Sequence, residues 1–186
     1  MAIHSVCVYC GSSDTTRPEY LDLATRTGRA LAERGVRMVY GGGRVGLMGR
    51  AAEACNGAGG RVLGIMPRFL ARREITYDAV PHEMVDTMHE RKTRMFEESD
   101  AFLVLPGGIG TLEEAIEMLS WRRLELHQKP IVFLCEDNFW DPLFVLLQHT
   151  VDAALTPPSF LDVLHKASTL DEAFAFMTAR AAVAVA

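Results

Sequence analysis

Residues 101–121 read AFLVLPGGIGTLEEAIEMLSW, and the order of residue types in this stretch decides the fold. Ala101 to Leu105 is an apolar run of the length and character of a strand buried on both faces. Pro106-Gly107-Gly108 stops the run, and past Gly110 the spacing becomes that of a helix, with Thr111 as its expected start. A strand, a glycine loop and a helix N-terminus, in that order, make an anion site. Glycines let the backbone approach a ligand closely, and the first N–H groups of a helix have no partner within it. Glu113 and Glu114 follow at once, so carboxylates stand beside a phosphate cradle. Ala115, Met118, Leu119 and Leu126 mark a stripe that faces the core or a partner, and Trp121 at its end reads as packing.

Toward the N-terminus the same order recurs. Val36 to Tyr40 is a strand, Gly41 to Gly49 (GGGRVGLMG) a glycine loop, and a helix follows to about Asn56. The loop contains GxGxxG from Gly41 to Gly46. A dinucleotide site would need an acid at the end of the following strand to hold a ribose hydroxyl. That strand, Arg61 to Met66, ends in Met66-Pro67, which argues against a dinucleotide. The first strand, Ser5 to Cys10, runs into Gly11-Ser12-Ser13-Asp14, small residues suited to a phosphate or ribose pocket and equally to a turn. A helix from Pro18 to Arg34 stops at Gly35. After the basic connection Arg68 to Glu74, in which Arg68 and Arg72 read as solvated, a helix is expected from Met88 to Ser99. Downstream come a strand at Ile131 to Leu134, a helix opened by Asp141-Pro142 and running to about Val151, and a loop at Pro157-Pro158. A short strand near Val163 to His165, a helix from Leu170 to Arg180 and a frayed tail, 181–186, complete the chain. The pattern predicts a single-domain (1–180) Rossmann-like three-layer α/β sandwich with a central, mostly parallel sheet. Both glycine loops would lie at one edge of that sheet, facing each other across a crevice.

Bulk properties bound the function. With 186 residues, 49% of them apolar, the chain can bury a sizeable core. A net charge of −5 argues against a nucleic-acid coat or an anionic-membrane binder. No apolar run approaches the ~20 residues of a membrane span. The start, MAIHSVCVYCGSS, lacks the pattern of a secretory signal, so a cytoplasmic protein is expected. Cys7 and Cys10 have CxxC spacing, but three residues along a strand they point to opposite faces, which suits packing better than a shared metal. The histidines form no HExxH pattern, and no metal site is predicted.

The central stretch also carries a resemblance. PGGIGTLEE, residues 106–114, fits the PGGxGTxxE motif of the Lonely Guy (LOG) family, often labelled "lysine decarboxylase-like". Cys10-Gly-Ser-Ser13 is similar to the family's CGSS, residues 41–49 to its GGGxxGLMG, and Met88-His-Glu-Arg91-Lys92 to its M-x-x-R-K, so the likeness covers nearly the whole chain. It implies an enzyme that releases the free base from a cytokinin nucleoside 5′-monophosphate, with no cofactor, working as at least a homodimer with its central helices packed together. Carried over residue by residue, it implies catalysis by Arg91 and Glu114. It implies substrate contacts from Gly11, Ser12, Gly42, Gly43, Gly46, Met48, Glu74, Met88, Lys92, Gly107, Gly108, Ile109, Gly110, Thr111, Glu113 and Ser120. Glu74 fits only after allowing a one-residue difference in length.

Each of these has a plainer reading. Arg91 and Lys92 could belong to a charged solvent face, with Glu90 supporting Arg94 one turn on. Thr111-Leu-Glu-Glu114 is a literal capping box, in which Glu114 would reach back to the helix start. A nucleotide or cofactor carrier of the same fold is the alternative to an enzyme. The decarboxylase label requires a pyridoxal Schiff-base lysine, and none of the three lysines, Lys92, Lys129 and Lys166, lies in a recognisable cofactor motif.

Overall fold

The computed structural model describes residues 3–72 and 76–183. The strands are β1 (Ser5–Tyr9), β2 (Arg37–Tyr40), β3 (Val62–Pro67), β4 (His82–Val85), β5 (Ala101–Val104), β6 (Ile131–Leu134) and β7 (His165–Ala167). Between them run α1 (Pro18–Glu33), α2 (Gly46–Gly57), the short α3 (Arg68–Ala71), α4 (Met88–Glu97), α5 (Ile109–Arg123), α6 (Asp141–Asp152) and a 3-10 helix (Pro158–Val163), and α7 (Leu170–Val183) follows β7. The seven strands form one sheet in the order β4-β3-β2-β1-β5-β6-β7, and every pairing is parallel.

Strand alternation sorts the core into two halves. Val6, Val8 and Cys10 point to the face covered by α1, α2 and α7. Cys7 and Tyr9 point to the face covered by α4, α5 and the 3-10 helix, against which Leu143, Phe144 and Leu147 of α6 also pack. Cys7 and Cys10 therefore lie on opposite sides of the sheet. All four cysteines are buried and unpaired. On the first face α1 and α2 approach at Gly28, where a Cβ would stand 2.1 Å from the Ala51 carbonyl oxygen. Among the described residues no helix is long and apolar enough to cross a membrane.

The structure adds two elements that the sequence did not show and moves a third; Arg68 and Arg72 are exposed, as expected. First, β4 did not show as an apolar run because it is an edge strand of sequence His-Glu-Met-Val with only Val85 buried. Second, the basic connection after Pro67 contains the single turn α3, within which Arg68 pairs with Asp86 at the surface. Third, the last strand lies at His165–Ala167, displaced by the 3-10 helix, whose first residues are the expected Pro-Pro loop. The tail expected over 181–186 overlaps α7 as far as Val183 and otherwise lies outside the described residues.

Candidate active site

From β1 the chain builds the sheet outward on one side through β2, β3 and β4, then crosses back to lay β5 on the other side of β1. A sheet of this kind opens a crevice beyond the carboxyl ends of the strands at that reversal. Here the β1–α1 loop and the β5–α5 glycine loop meet: the Gly11 N–H donates to the Pro106 carbonyl at 3.1 Å, and Met48 N–H donates to Gly11 O at 3.3 Å. Gly46 has φ +65°, and a Cβ there would stand 2.5 Å from the Ser13 nitrogen, so this glycine lets α2 begin against the β1 loop. Asp14 Oδ1 accepts the Gly46 N–H at 2.8 Å.

The crevice is a cavity of about 470 Å³. Of the sequence-expected residues, Gly11, Ser12, Met48, Arg91, Gly107, Gly108, Ile109, Gly110, Thr111 and Glu114 line it. Cys10, Ser13, Thr16, Tyr20, Leu47, Leu70, Pro106 and Phe139 line it too. Sequence reasoning stopped at Ser12 in the first loop and had no reason to bring Tyr20 and Phe139 together. Their rings meet edge to face at 5.5 Å, and the Tyr20 hydroxyl donates to Asp137 at 2.6 Å. Only the topology, which sets the end of β6 near the start of α1, reveals them.

Helix α5 begins at Ile109, two residues before the expected start, with Gly108 as its N-cap and no side chain capping it. Thr111 is thus already inside the first turn, and the Thr111–Glu114 capping box does not form. The box forms instead on α4, where Thr87 Oγ1 accepts the Glu90 N–H at 3.0 Å and the Glu90 carboxylate accepts the Thr87 N–H at 3.3 Å. Glu90 is engaged there, and Arg94 pairs with Glu83, Glu97 and Glu98. Ile109, Gly110 and Thr111, whose N–H groups have no partner within the helix, line the cavity.

Glu114 meets Arg91 at the floor of this cavity. Arg91 Nη1 donates to Glu114 Oε1 at 3.0 Å, and both side chains are close to nine-tenths buried. The guanidinium is fixed on its other edges, Nε donating to the Ile65 carbonyl and Nη2 to the Gly41 carbonyl, each at 3.3 Å. Gly41 makes room for it: a Cβ on that residue would stand 2.0 Å from Nη2. Burial pushes the Glu114 carboxyl up to about 6, Arg91 acts against the rise, and Glu113 adds to it.

The remaining expected residues lie elsewhere. Gly42, with φ +83°, packs beside Met66 and His82, and Gly43 bridges to Thr76. Gly46 acts through the packing of α2 described above. Met88 and Ser120 are exposed outside the cavity. Lys92 points away from it to Glu113 at 2.6 Å and Glu117 at 3.0 Å. Helix periodicity explains this, since adjacent positions are rotated by about 100° and cannot share a face. Glu74 lies outside the described residues.

The family described as "Possible lysine decarboxylase" matches residues 48–177. A probable cytokinin riboside 5′-monophosphate phosphoribohydrolase of Oryza sativa subsp. japonica is 45% identical over 155 residues, 83% of this chain and 68% of that protein. A cytokinin riboside 5′-monophosphate phosphoribohydrolase of Arabidopsis thaliana is 45% identical over 148 residues, 79% of this chain and 70% of its own. Among solved structures, the molybdenum cofactor binding protein from Rippkaea orientalis superposes with a TM-score of 0.71 at 23% identity, covering 96% of this chain and 98% of that one. At that identity the likeness establishes the fold.

Proposed function

Because the chain belongs to the Lonely Guy family of cytokinin riboside 5′-monophosphate phosphoribohydrolases, we propose that it is an enzyme that hydrolyses the N-glycosidic bond of purine nucleoside 5′-monophosphates, including N6-modified ones. The products are the free base and ribose 5-phosphate. The single observation that carries this reading is the Arg91–Glu114 pair on the floor of a cavity whose rim is a glycine loop and an uncapped helix N-terminus. Breaking a C1′–N bond develops positive charge on the ribose and negative charge on the departing base. The N–H groups at Ile109, Gly110 and Thr111, with the hydroxyls of Ser12 and Thr111, hold the 5′-phosphate. Glu114 then lies against the ribose, where its carboxylate stabilises the developing cation, accepts a proton from the attacking water and passes it to the departing base. Arg91 offers its remaining N–H groups to the leaving base.

The decarboxylase description does not fit the residues present. Lys92 is held by Glu113 and Glu117, Lys129 donates to the Phe96 carbonyl, and Lys166 pairs with Asp141; none lines the cavity for a Schiff base. The working unit of our proposal is a homodimer. Its support is the apolar outer surface of α5, the turn after it and α6: Ile116, Leu124, Leu126, Val145 and Leu146 are exposed, and no residue of α6 is fully buried. Met88 and Ser120, outside this protomer's cavity, are then available to the partner's substrate. Four unpaired cysteines suit the reducing cytoplasm.

The test is product analysis with AMP and N6-isopentenyl-AMP, using the wild type and Glu114→Gln. We expect free base and ribose 5-phosphate from the wild type, and a loss on the order of 10²–10⁴-fold in the variant. The rate should fall as pH drops through about 6, where the Glu114 carboxylate takes up its proton. Binding of both nucleotides without release would overturn the hydrolase and leave a carrier.

A further inference from the structure

Helices α4 and α5 touch through two consecutive residues of α4. Arg91 meets Glu114, and Lys92, with only 13% of its side chain exposed, spans Glu113 and Glu117. Glu113 and Glu117 are one turn apart and share a face of α5, so a single ammonium reaches both. The two contacts join α4 to α5 from adjacent positions on α4.

The charges at this junction are unevenly matched. Glu113, Glu114 and Glu117 face Arg91 and Lys92, and Oε2 of Glu117 is buried without a partner. From the sheet, Cys7, Tyr9 and Cys10 also neighbour Glu114, but burial holds all three neutral at ordinary pH. The field at Glu114 is therefore set by two cations on α4 and the two carboxylates on its own helix. Of the two cations, Lys92 contacts both flanking carboxylates and Arg91 contacts Glu114.

We propose that Lys92 is a positioning residue for the hydrolysis. By bridging Glu113 and Glu117 it locks the register that sets Arg91 against Glu114, and it shields Glu114 from the charge of its two neighbours. This rests on the hydrolase reading above. It assigns Lys92 no contact with substrate.

Two measurements on the intact protein decide the matter. One is a carbon-13 NMR titration of the Glu114 carboxyl, assigned by its absence in Glu114→Gln. The other is the pH profile of kcat and KM on AMP and N6-isopentenyl-AMP. In Lys92→Met the Glu114 titration and the acid limb of the rate should both move up by roughly one pH unit. The kcat deficit should widen toward pH 6, with KM within about twofold of wild type. Lys92→Arg, which keeps the charge and reaches both carboxylates, should restore the profile. Adding Glu117→Gln to Lys92→Met should reverse most of the shift. An unmoved Glu114 titration in Lys92→Met overturns the proposal. So does a tenfold rise in KM with kcat and titration unchanged, because that is the signature of a lost substrate contact. If the wild type releases no base, the hydrolase reading falls, while the NMR titration still decides whether Lys92 shields Glu114.

Discussion

Gly41 governs Arg91 by having no side chain. The Arg91 guanidinium occupies the volume a Cβ would take, 2.0 Å from Nη2, and Met48 Sδ stands 3.2 Å from the same point. Gly41→Ala should therefore expel the guanidinium from its bonds to Gly41 O and Glu114 while leaving every proposed catalytic group in the chain. Displacing a catalytic group by an ångström can cost about 100-fold in rate, and we expect a kcat loss of that order from steady-state product release, with the fold intact by circular dichroism. The sequence made Arg91 and Glu114 legible through the M-x-x-R-K and PGGxGTxxE patterns. It did not reveal the part played by Gly41, because a glycine in such a loop reads as room for a ligand, whereas this one makes room for the Arg91 guanidinium. Tyr20 and Phe139 were illegible for a different reason: they are 119 positions apart, and only strand order brings them to one wall.

Helix α4 shows how a local signal can be read on the wrong element. T-x-x-E occurs at Thr16–Glu19, Thr87–Glu90, Thr111–Glu114 and Thr169–Glu172, and the pattern alone does not say which are caps. A capping box requires its threonine at the N-cap. Helix α5 starts at Ile109, so its threonine is already inside the helix, whereas Thr87 immediately precedes α4. The result is a division of labour: Glu90 closes the helix that carries Arg91, and Glu114 is released to meet that arginine. Thr87→Ala should lower stability by about 1 kcal/mol in urea unfolding, with kcat reduced only slightly, since Lys92 still ties α4 to α5. The central elements were readable because parallel strands buried on both faces are continuous apolar runs. Strand β4 was not, because an edge strand buries one residue and leaves its polar side chains in water.

Across the whole molecule, the two faces of the sheet are finished differently. Helices α1 and α2 seal theirs through close small-residue contact, whereas α5 and α6 turn apolar side chains outward, with Val145 70% and Leu146 57% exposed. Such a surface is costly to leave in water, and covering it with a second copy removes the cost. Val145→Asp combined with Leu146→Asp changes exposed positions only. It should leave the melting curve of the protomer intact while halving the mass measured by light scattering after size exclusion. A mass unchanged from wild type would show that this surface does not join the copies. The sequence indicated a stripe at Ala115, Met118, Leu119 and Leu126 but could not divide it between core and partner: the first three enter the core, while Leu126, past the end of α5, does not.

The burial of all four cysteines has a practical consequence. Desolvation pushes the Cys55 and Cys135 thiols up to about 11, and Cys7 and Cys10 higher still, so the native chain presents almost no thiolate to reagents at neutral pH. Maleimide reagents should therefore leave the native cysteines untouched without mutation of any of them. Ile109, 84% exposed at the rim of the cavity, is a position where one introduced thiol would carry a fluorophore alone. A dye tethered there would sit at the mouth of the cavity and, on the proposed function, report a nucleotide's arrival and departure in real time.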